Sequence, residues 1–563
     1  MAIQELYPKV GLGVGPAIEN GFYQDYDLPE SITPEILPKL EKRMKEIIKE
    51  NIKFEQHNVD FTEAYKFYQH DPYKTSFIDD LKANGEKEAS FYKSGWFDNL
   101  CGGPHIASTK EINPEAFKLT KIAGAYWRGD ENNKMLTRIY GIAFETKKEL
   151  DEYLKNQEEA GKRDHRKLGK ELDLFHFSDL VGPGLPLFTP KGTIVIEELQ
   201  KEVERICRNY GFQKVKTPAL AKIDLYEISG HAQKFSEELF HVNSKRKQSY
   251  VMRPVLCPHQ TQLFASRQRS YRELPIRYME SDKMYRAEKP GEISGLSRVI
   301  AITVEDGHSF CRVDQVRDEI KNMVNIVKDF YSSLGLWDKL RVSLSVRDYA
   351  HPEKYIGDAK DWDKCEKILE EVSREMKLDA KRNEGEAALY GPKLDFMFKD
   401  ALGKEIQIPT VQIDFATPKR FDLFYIDEKG KKASPVMVHR AILGSYERFL
   451  VLLIEHFAGA FPLWLSPIQA TIIPVSEKFK DYAKNVGAQF IKSGIRYEID
   501  DSDESLGKRI RNAEKQKIPY ILVVGEKETA DNSVSVRSRD NSQEVMKVEK
   551  FIEKVKKEIE GKR

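Results

Sequence analysis

At 563 residues the chain is too long for one hydrophobic core, so about two to four domains are expected. Hydrophobic residues make up 40%, with 34 Gly and 25 Pro, which excludes a collagen-like, low-complexity or largely disordered chain. Against 91 basic side chains stand 90 acidic ones, a formal charge of +1, so a nucleic-acid surface would have to be a local patch.

The first residues, MAIQELYPKVGLGVG, lack the basic start and apolar stretch of a signal peptide, and a cytoplasmic location is expected. Gly11, Gly13 and Gly15 echo a dinucleotide loop, but Pro16 follows and no strand precedes, so the run reads as a simple turn. With charged helical runs at Glu35–Asn51 and Lys147–Arg163, residues 1–163 read as a small α/β domain tethered by a helix. The mixed-charge stretch Gly161–Phe175 has no core-like periodicity until its end, which places a boundary near Asp164.

Between Thr193 and Tyr210, Ile196, Leu199, Val203, Ile206 and Tyr210 recur at spacings of three and four, one face of an amphipathic helix. A strand, GFQKVKTP, is expected to follow and stop at Pro218. Short strand-like runs then dominate (Ser249–Met252, Ile276–Tyr285, Val299–Val304, Lys393–Phe398, Glu405–Phe415), an antiparallel sheet with flanking helices and so an α+β domain over 164–465. The most apolar segment, Phe449–Leu465, is interrupted by Glu455, His456 and Pro462 and is shorter than the ~20 residues that span a bilayer. It reads as a buried helix, and no membrane partner is expected. From Pro467 strand and helix alternate in a βαβ rhythm, so residues 466–563 read as a small doubly wound α/β domain, with 20 basic against 17 acidic side chains hinting at RNA. Five well-separated cysteines, Cys101, Cys207, Cys257, Cys311 and Cys365, suit thiols or metal ligands rather than a disulfide framework.

No phosphate-cradling G-x-x-x-x-G-K-[ST] loop is present, so side chains would have to neutralise any bound nucleotide. In YMESDKMYRAEKPGEISGLSRVIAITVEDGHSFC (Tyr278–Cys311) two strand-like runs flank a turn, with Arg286 and Glu288 on one side of the first strand and Arg298 opening the second. Two guanidinia and a carboxylate would face one ligand there, and the planar fork of arginine suits phosphate. A bare R-x-E is otherwise an ordinary surface pair.

Taken together, the amphipathic helix and strand to Pro218, the Arg286/Glu288/Arg298 hairpin, and PVMVHRAILGSYERFLVLLIE with Gly444 and Arg448 at a strand-to-helix junction resemble, in order, the three signatures of class II aminoacyl-tRNA synthetases. Within that class GAYWRGDENNKMLTRIYG, KRDHRKLGKELDLF, VEDGHSF, LYGPKLDF and PTVQIDF resemble the threonyl-tRNA synthetase family along the whole chain. The resemblance implies a class II antiparallel-sheet catalytic domain, an α/β anticodon-binding domain and a partial α+β editing-like domain. It implies ATP, L-threonine and threonine tRNA as partners, Mg2+ with the ATP, and a homodimer formed through the Ile196–Tyr210 face and the strand to Pro218.

By the same resemblance Cys257, His308 and His439 hold one Zn2+. Their spacings of 51 and 131 residues fit no zinc finger, whereas a catalytic zinc takes three ligands from separate elements. Asp306 would accept a hydrogen bond from the threonine hydroxyl, and Tyr390, Lys393, Gln407, Thr410 and Gln412 match pocket residues for the amino acid and the adenylate. Arg286 would hold the α-phosphate and carboxylate, Glu288 the adenine edge, and Arg298 and Arg448 the γ-phosphate, with His231 near the tRNA's terminal ribose. The chain departs from the family with Ile302 where an aromatic usually stacks on adenine, Val304 where glutamine is common, and His259-Gln260 where Gly-His is usual. Lys74, Cys101 and His105 match half of the editing site. Its His-x-x-x-His element would lie just before Met1, from N-terminal trimming or loss of the function, so clearance of seryl-tRNA is expected to be impaired. In the last domain Arg539, in the strand SVSVRSR, and Glu528 are the expected anticodon contacts. Two other readings stay open at this point: a catalytically silent paralogue acting as an RNA-binding or regulatory module, and a class II synthetase of the seryl or prolyl type.

Overall fold

The computed structural model describes residues 1–399 and 405–562 and divides into two compact units, Met1–Glu158 and Glu159–Arg563. The division falls inside the helix Lys147–Arg163, whereas Asp164 is a helix junction: its carboxylate caps the next helix, His165–Glu171, by accepting the Arg166 N–H at 2.8 Å. The residues after Pro467 have their own core yet belong to the second unit.

In the first unit β1 (Gly11–Leu12), β2 (Gly21–Asp27), Met135–Ala143 and Phe117–Tyr126 form an antiparallel sheet in that order. Leu40 and Ile47 of the helix Leu37–Lys49 pack on it against Leu119 and Ile139. The glycine run is extended rather than the expected turn, continuing past β1 beside β2: the Gly13 N–H donates to the Asp25 carbonyl at 2.9 Å, and the Asp25 N–H donates back to the Val14 carbonyl at 2.8 Å. A Cβ on Gly13 would come within 3.1 Å of both Asp25 and Leu136, so side-chain bulk is what the sequence avoids there. A second sheet joins Phe54–Asp60, Glu88–Ser94 and Phe97–Leu100.

The second unit is built on α1 (Pro190–Asn209), α2 (Cys257–Ala265), β3 (Ile276–Tyr285), β4 (Ala301–Cys311), α3 (Val316–Ser332), β5 (Leu340–Val346), β6 (Lys393–Lys399), β7 (Glu405–Asp414), β8 (Val436–Ser445) and α4 (Tyr446–Phe457). Its sheet runs β3-β4-β8-β7-β6-β5, antiparallel throughout, with the short strands Gln213–Lys214 and Lys381–Glu384 added in parallel at the two edges. Strand alternation sends Val411, Ile413 and Val438 into a core shared with Ile320, Val324 and Val327 of α3, while Thr410, Gln412 and His439 face the other way.

Helix α1 starts where Thr189 accepts the Gly192 N–H at 3.2 Å and Pro190 supplies the first helical turn. Its apolar side does not form an exposed interface as expected: Leu199, Val203, Ile206 and Cys207 are buried in the unit's own core. The strand after it is also shorter than expected. The Thr217 N–H, instead of continuing the ladder, donates at 2.7 Å to Glu280, and the chain peels away before Pro218. The expected helix Phe449–Leu465 ends at Phe457, where Ala458 and Gly459 take left-handed backbone.

The C-terminal sheet joins Tyr497–Ile499, Ala470–Pro474 and Tyr520–Val524 in parallel, then adds Ser533–Ser538 and Gln543–Lys547 antiparallel, a doubly wound core with an antiparallel edge. Among the described residues no helix is long and apolar enough to cross a membrane.

Candidate active site

Two rows of side chains crossing the sheet make the floor of the site. Register pairs His308 with His439, His439 with Gln412 and Gln412 with Lys393; one step along, Asp306 pairs with Ala441, Ala441 with Thr410 and Thr410 with Asp395. Directly opposed residues share a face, so four strands far apart in sequence converge there, and the small Ala441 leaves room between Asp306 and Thr410. The floor is tied together: Tyr390 donates its hydroxyl to Gln412 at 2.8 Å, Gln412 donates to Thr410 at 3.2 Å, and Gln407 donates to Asp395 at 2.6 Å. Lys393 pairs with Asp395 at 2.9 Å.

At one end of the floor, ligand atoms of Cys257, His308 and His439 lie within 4.8 Å of one another. Cys257 opens α2, and the Tyr390 ring stacks on His439 at 4.7 Å. Each imidazole has one nitrogen held by the protein. Gln260 donates to Glu280 at 3.3 Å, which turns its carbonyl oxygen to accept from His308 Nδ1 at 2.8 Å. His308 Nε2 is then a buried acceptor with no hydrogen-bond partner among the described residues. His439 donates from Nε2 to Asp414 at 3.0 Å, and Asp414 is itself fixed by the Ala416 and Thr417 N–H groups, both at 2.8 Å, so Nδ1 remains as the ligand atom. Burial, reinforced by His439, holds His308 far below the usual imidazole range, which keeps it neutral as a ligand must be. The Cys257 thiol is pushed well up by burial, then by Asp306, so it would lose its proton on binding a metal. One thiol and two oriented rings from separate elements fit a tetrahedral divalent ion with a position open towards substrate.

Asp306, beside His308 at 3.6 Å, is pushed up to about 7 by burial against the opposing pull of His439. His231 donates or accepts at Nδ1 with Ser229 at 2.8 Å and is lowered to about 4 by burial and then by His439.

At the other end stand the arginines. Arg286, Glu288 and Arg298 lie in the connection between β3 and β4, not on the strands as expected: the Arg286 N–H makes a last ladder bond to Ile300 at 3.1 Å, and Ala287 then turns to the Glu238 carbonyl at 2.8 Å. Arg298 is held by Glu288 at 2.7 Å and Glu292 at 2.9 Å, and Arg286 lies over the Phe235 ring at 5.8 Å. Arg448 sits in the first turn of α4, where Ser445 caps its N–H at 3.1 Å. Gly444, with φ +65°, makes the sharp strand-to-helix turn, and burial lowers the pKa of Arg448.

One cavity of about 770 Å³ gathers these groups. Its lining includes Arg286, Glu288, Arg298, Arg448 and His231 as well as Asp306, Tyr390, Lys393, Gln407, Thr410 and Gln412, with Cys257 and His439 at the metal end and Ile302 and Val304 in the wall.

Residues 240–457 match the model of the tRNA synthetase class II core domain (G, H, P, S and T), 469–558 the anticodon binding domain, and 89–140 the threonyl and alanyl tRNA synthetase second additional domain. The threonine–tRNA ligase of Gloeobacter violaceus is 46% identical over 547 residues, covering 96% of this chain and 87% of that protein. That of Thermus thermophilus is 47% identical, covering 94% and 81%. The chain belongs to the threonine–tRNA ligase family. As a family member it is a class II aminoacyl-tRNA synthetase, an enzyme. Its structure is similar to the RNA binding domain of threonyl-tRNA synthetase from Cryptosporidium parvum, with 34% identity, a TM-score of 0.66 and coverage of 70% of this chain and 98% of that one. The Giardia lamblia prolyl-tRNA synthetase, 17% identical at TM-score 0.56 over 72% and 80%, shares the fold alone.

Elsewhere in this ligase-family chain, Cys101 and His105 meet at 3.1 Å and Lys74 is buried, its pKa lowered by burial. Arg539 is exposed but lies just past the strand Ser533–Ser538 rather than on it, and its guanidinium donates to the carbonyls of Lys517 at 2.7 Å and Phe461 at 2.5 Å. Glu528 caps its own short helix by accepting the Gly525 N–H at 3.0 Å.

The sequence reading missed Asp414, Glu280 and the buried Arg440–Glu305 pair at 2.7 Å. Strand alternation in VQID put Asp414 on the face of Gln412, a signal that was available. Glu280 and Glu305 gave none, because their partners come from remote segments.

Proposed function

We propose that this enzyme joins L-threonine to threonine tRNA through a threonyl-adenylate and selects the amino acid with one zinc ion held by Cys257, His308 and His439. The observation that carries the reading is a ready-made thiol and two oriented imidazoles in the same cavity as the arginines. Zinc bound there would engage both the amino and hydroxyl groups of threonine, which the nearly isosteric valine lacks as a pair. Asp306 accepts a hydrogen bond from the hydroxyl, and Thr410, Gln412 and Tyr390 bound the side chain. Arg286 orients the threonine carboxylate against the α-phosphate of ATP, Glu288 meets the adenine edge with Ile302 packed on the base, and Arg298 and Arg448 hold the γ-phosphate with Mg2+. A carboxylate oxygen attacks the α-phosphorus, the bond to the pyrophosphate oxygen breaks, and positioning with charge neutralisation does most of the catalysis. The terminal ribose hydroxyl of the tRNA, approached by His231, then attacks the adenylate carbonyl and releases AMP.

The family reading also supports a cytoplasmic homodimer with the C-terminal domain on the anticodon. Because the apolar side of α1 is buried in its own core, the two-fold contact would use other surfaces.

Elemental analysis of the purified protein tests the metal. About one zinc per chain, lost in Cys257→Ala with the fold retained, is expected; a zinc-free wild type that activates threonine would refute it.

A further inference from the structure

The stretch KRDHRKLG, unexplained by the reaction itself, puts His165 between α4, which carries Arg448, and the connection that carries Arg298. The side chain is buried. Its Nδ1 faces Glu455 of α4 at 2.9 Å, and its Nε2 accepts the backbone N–H of Leu296 at 3.3 Å. A carboxylate at Nδ1 places the proton there, which leaves Nε2 as the acceptor the Leu296 N–H requires. Leu296 belongs to a tight reversal, Ser294 to Arg298, closed by backbone bonds in both directions at 3.2 and 3.3 Å, and that reversal delivers Arg298 to the cavity. Glu455 stands seven residues after Arg448, two turns along the same face of α4. At Gly295, with φ +50°, a Cβ would meet His165 Nε2 at 2.4 Å, so the reversal is fitted closely against the ring.

We propose that His165 is a positioning residue that fixes the Arg298 reversal relative to the Arg448 helix, and so sets the span in which the ATP triphosphate tail is held. This rests on the reading that Arg298 and Arg448 bind that tail. The reversal lies in the connection between β3 and β4 with its Leu296 side chain seated in the core and Ser294, Ser297 and Arg298 exposed, and among the described hydrogen bonds the His165 ring ties its backbone to Glu455 of α4. Without that tie the reversal is anchored by the Leu296 side chain but not by its backbone, so the spacing of the two guanidinia loosens and ATP binding weakens while the threonine end, on the rigid sheet floor, is unchanged.

Threonine-dependent pyrophosphate exchange on full-length variants tests this. In His165→Asn the amide can still reach Glu455 but falls short of Leu296. In His165→Gln the longer side chain can accept from Leu296. His165→Asn is expected to raise the KM for ATP roughly tenfold with the KM for threonine unchanged, and His165→Gln to recover most of that rise. Gly295→Ala, whose Cβ would press on His165 Nε2 and force the reversal and the ring apart while residue 165 stays histidine, should give the same selective effect. Equal behaviour of the Asn and Gln variants, or parallel changes in both KM values, would overturn the proposal, since a merely structural role would not separate them. Arg448→Ala serves as the control for the underlying reading: if its KM for ATP is normal, the phosphate assignment itself fails, whereas a raised value with an unaffected His165→Asn refutes only the role of His165.

Discussion

Gln260 can accept from His308 because Glu280, held in turn by the Thr217 N–H at 2.7 Å and by the buried Arg253, takes the amide's donor side. In an amide free to flip, the donor could face His308 and drive the ring to the other tautomer, with its proton on the metal side. Gln260→Leu, which removes the acceptor while keeping similar volume, should therefore weaken zinc binding about 10 to 100-fold in chelator competition, with the protein still folded. Unchanged affinity would show that the ring is oriented by packing alone. His456 makes a separate prediction about acid stability. Burial first, and Lys339 beside its Nε2 at 3.2 Å, lower its pKa to about 4, so the folded protein keeps it neutral while the unfolded chain protonates it near 6.5. Its contribution is thus fully present above pH 6.5 and is lost as pH falls towards 4. The urea midpoint should drop between pH 7 and pH 5 by less in His456→Gln than in the wild type; an equal drop would assign the acid sensitivity elsewhere.

Elements whose sides differ in polarity were legible in the sequence, and elements defined by a distant partner were not. Ile276–Tyr285 and Ser249–Met252 are strands over the same residues that read as strand-like runs. The ladder at Thr217 is broken by Glu280, 63 residues away, which no local pattern reveals. The spacing of Leu199, Val203 and Ile206 likewise marks an apolar face without saying whether a second copy or the chain's own core covers it. Cys257, His308 and His439 were legible through family resemblance, whereas their bonds to Gln260 and Asp414 depend on register between strands. At this scale the Arg440–Glu305 pair links β8 to β4, both side chains wholly enclosed, and Arg440 also donates to Cys207 of α1 at 3.1 Å. Glu305→Ala leaves a buried guanidinium unpaired and should cost about 3 to 5 kcal/mol in chemical denaturation. Replacing both, as Arg440→Met with Glu305→Leu, should cost much less; equal losses would mean that the pair matters for packing rather than charge.

Across the whole molecule the order of the parts followed from composition shifts and family stretches, but their joints did not. Arg539 reads as a basic residue for RNA, and in the structure its guanidinium also bonds to Lys517 of its own domain and to Phe461, a link from the C-terminal fold to the core. In the N-terminal unit Cys101 and His105 are together, while the sequence contains no His-x-x-x-His pair to join them. The 563-residue chain is therefore expected to deacylate preformed seryl-tRNA slowly, and rapid hydrolysis abolished by Cys101→Ala would show that the half-site suffices. The claim that a metal reads the threonine hydroxyl is tested most directly by pyrophosphate exchange with threonine, serine and valine measured side by side. Serine, which keeps the amino and hydroxyl groups and lacks one methyl, should fall ~10 to 200-fold below threonine in kcat/KM, and valine ~10⁴-fold or more. Valine within ~100-fold of threonine would mean that an apolar pocket, not a hydroxyl-reading centre, selects the amino acid.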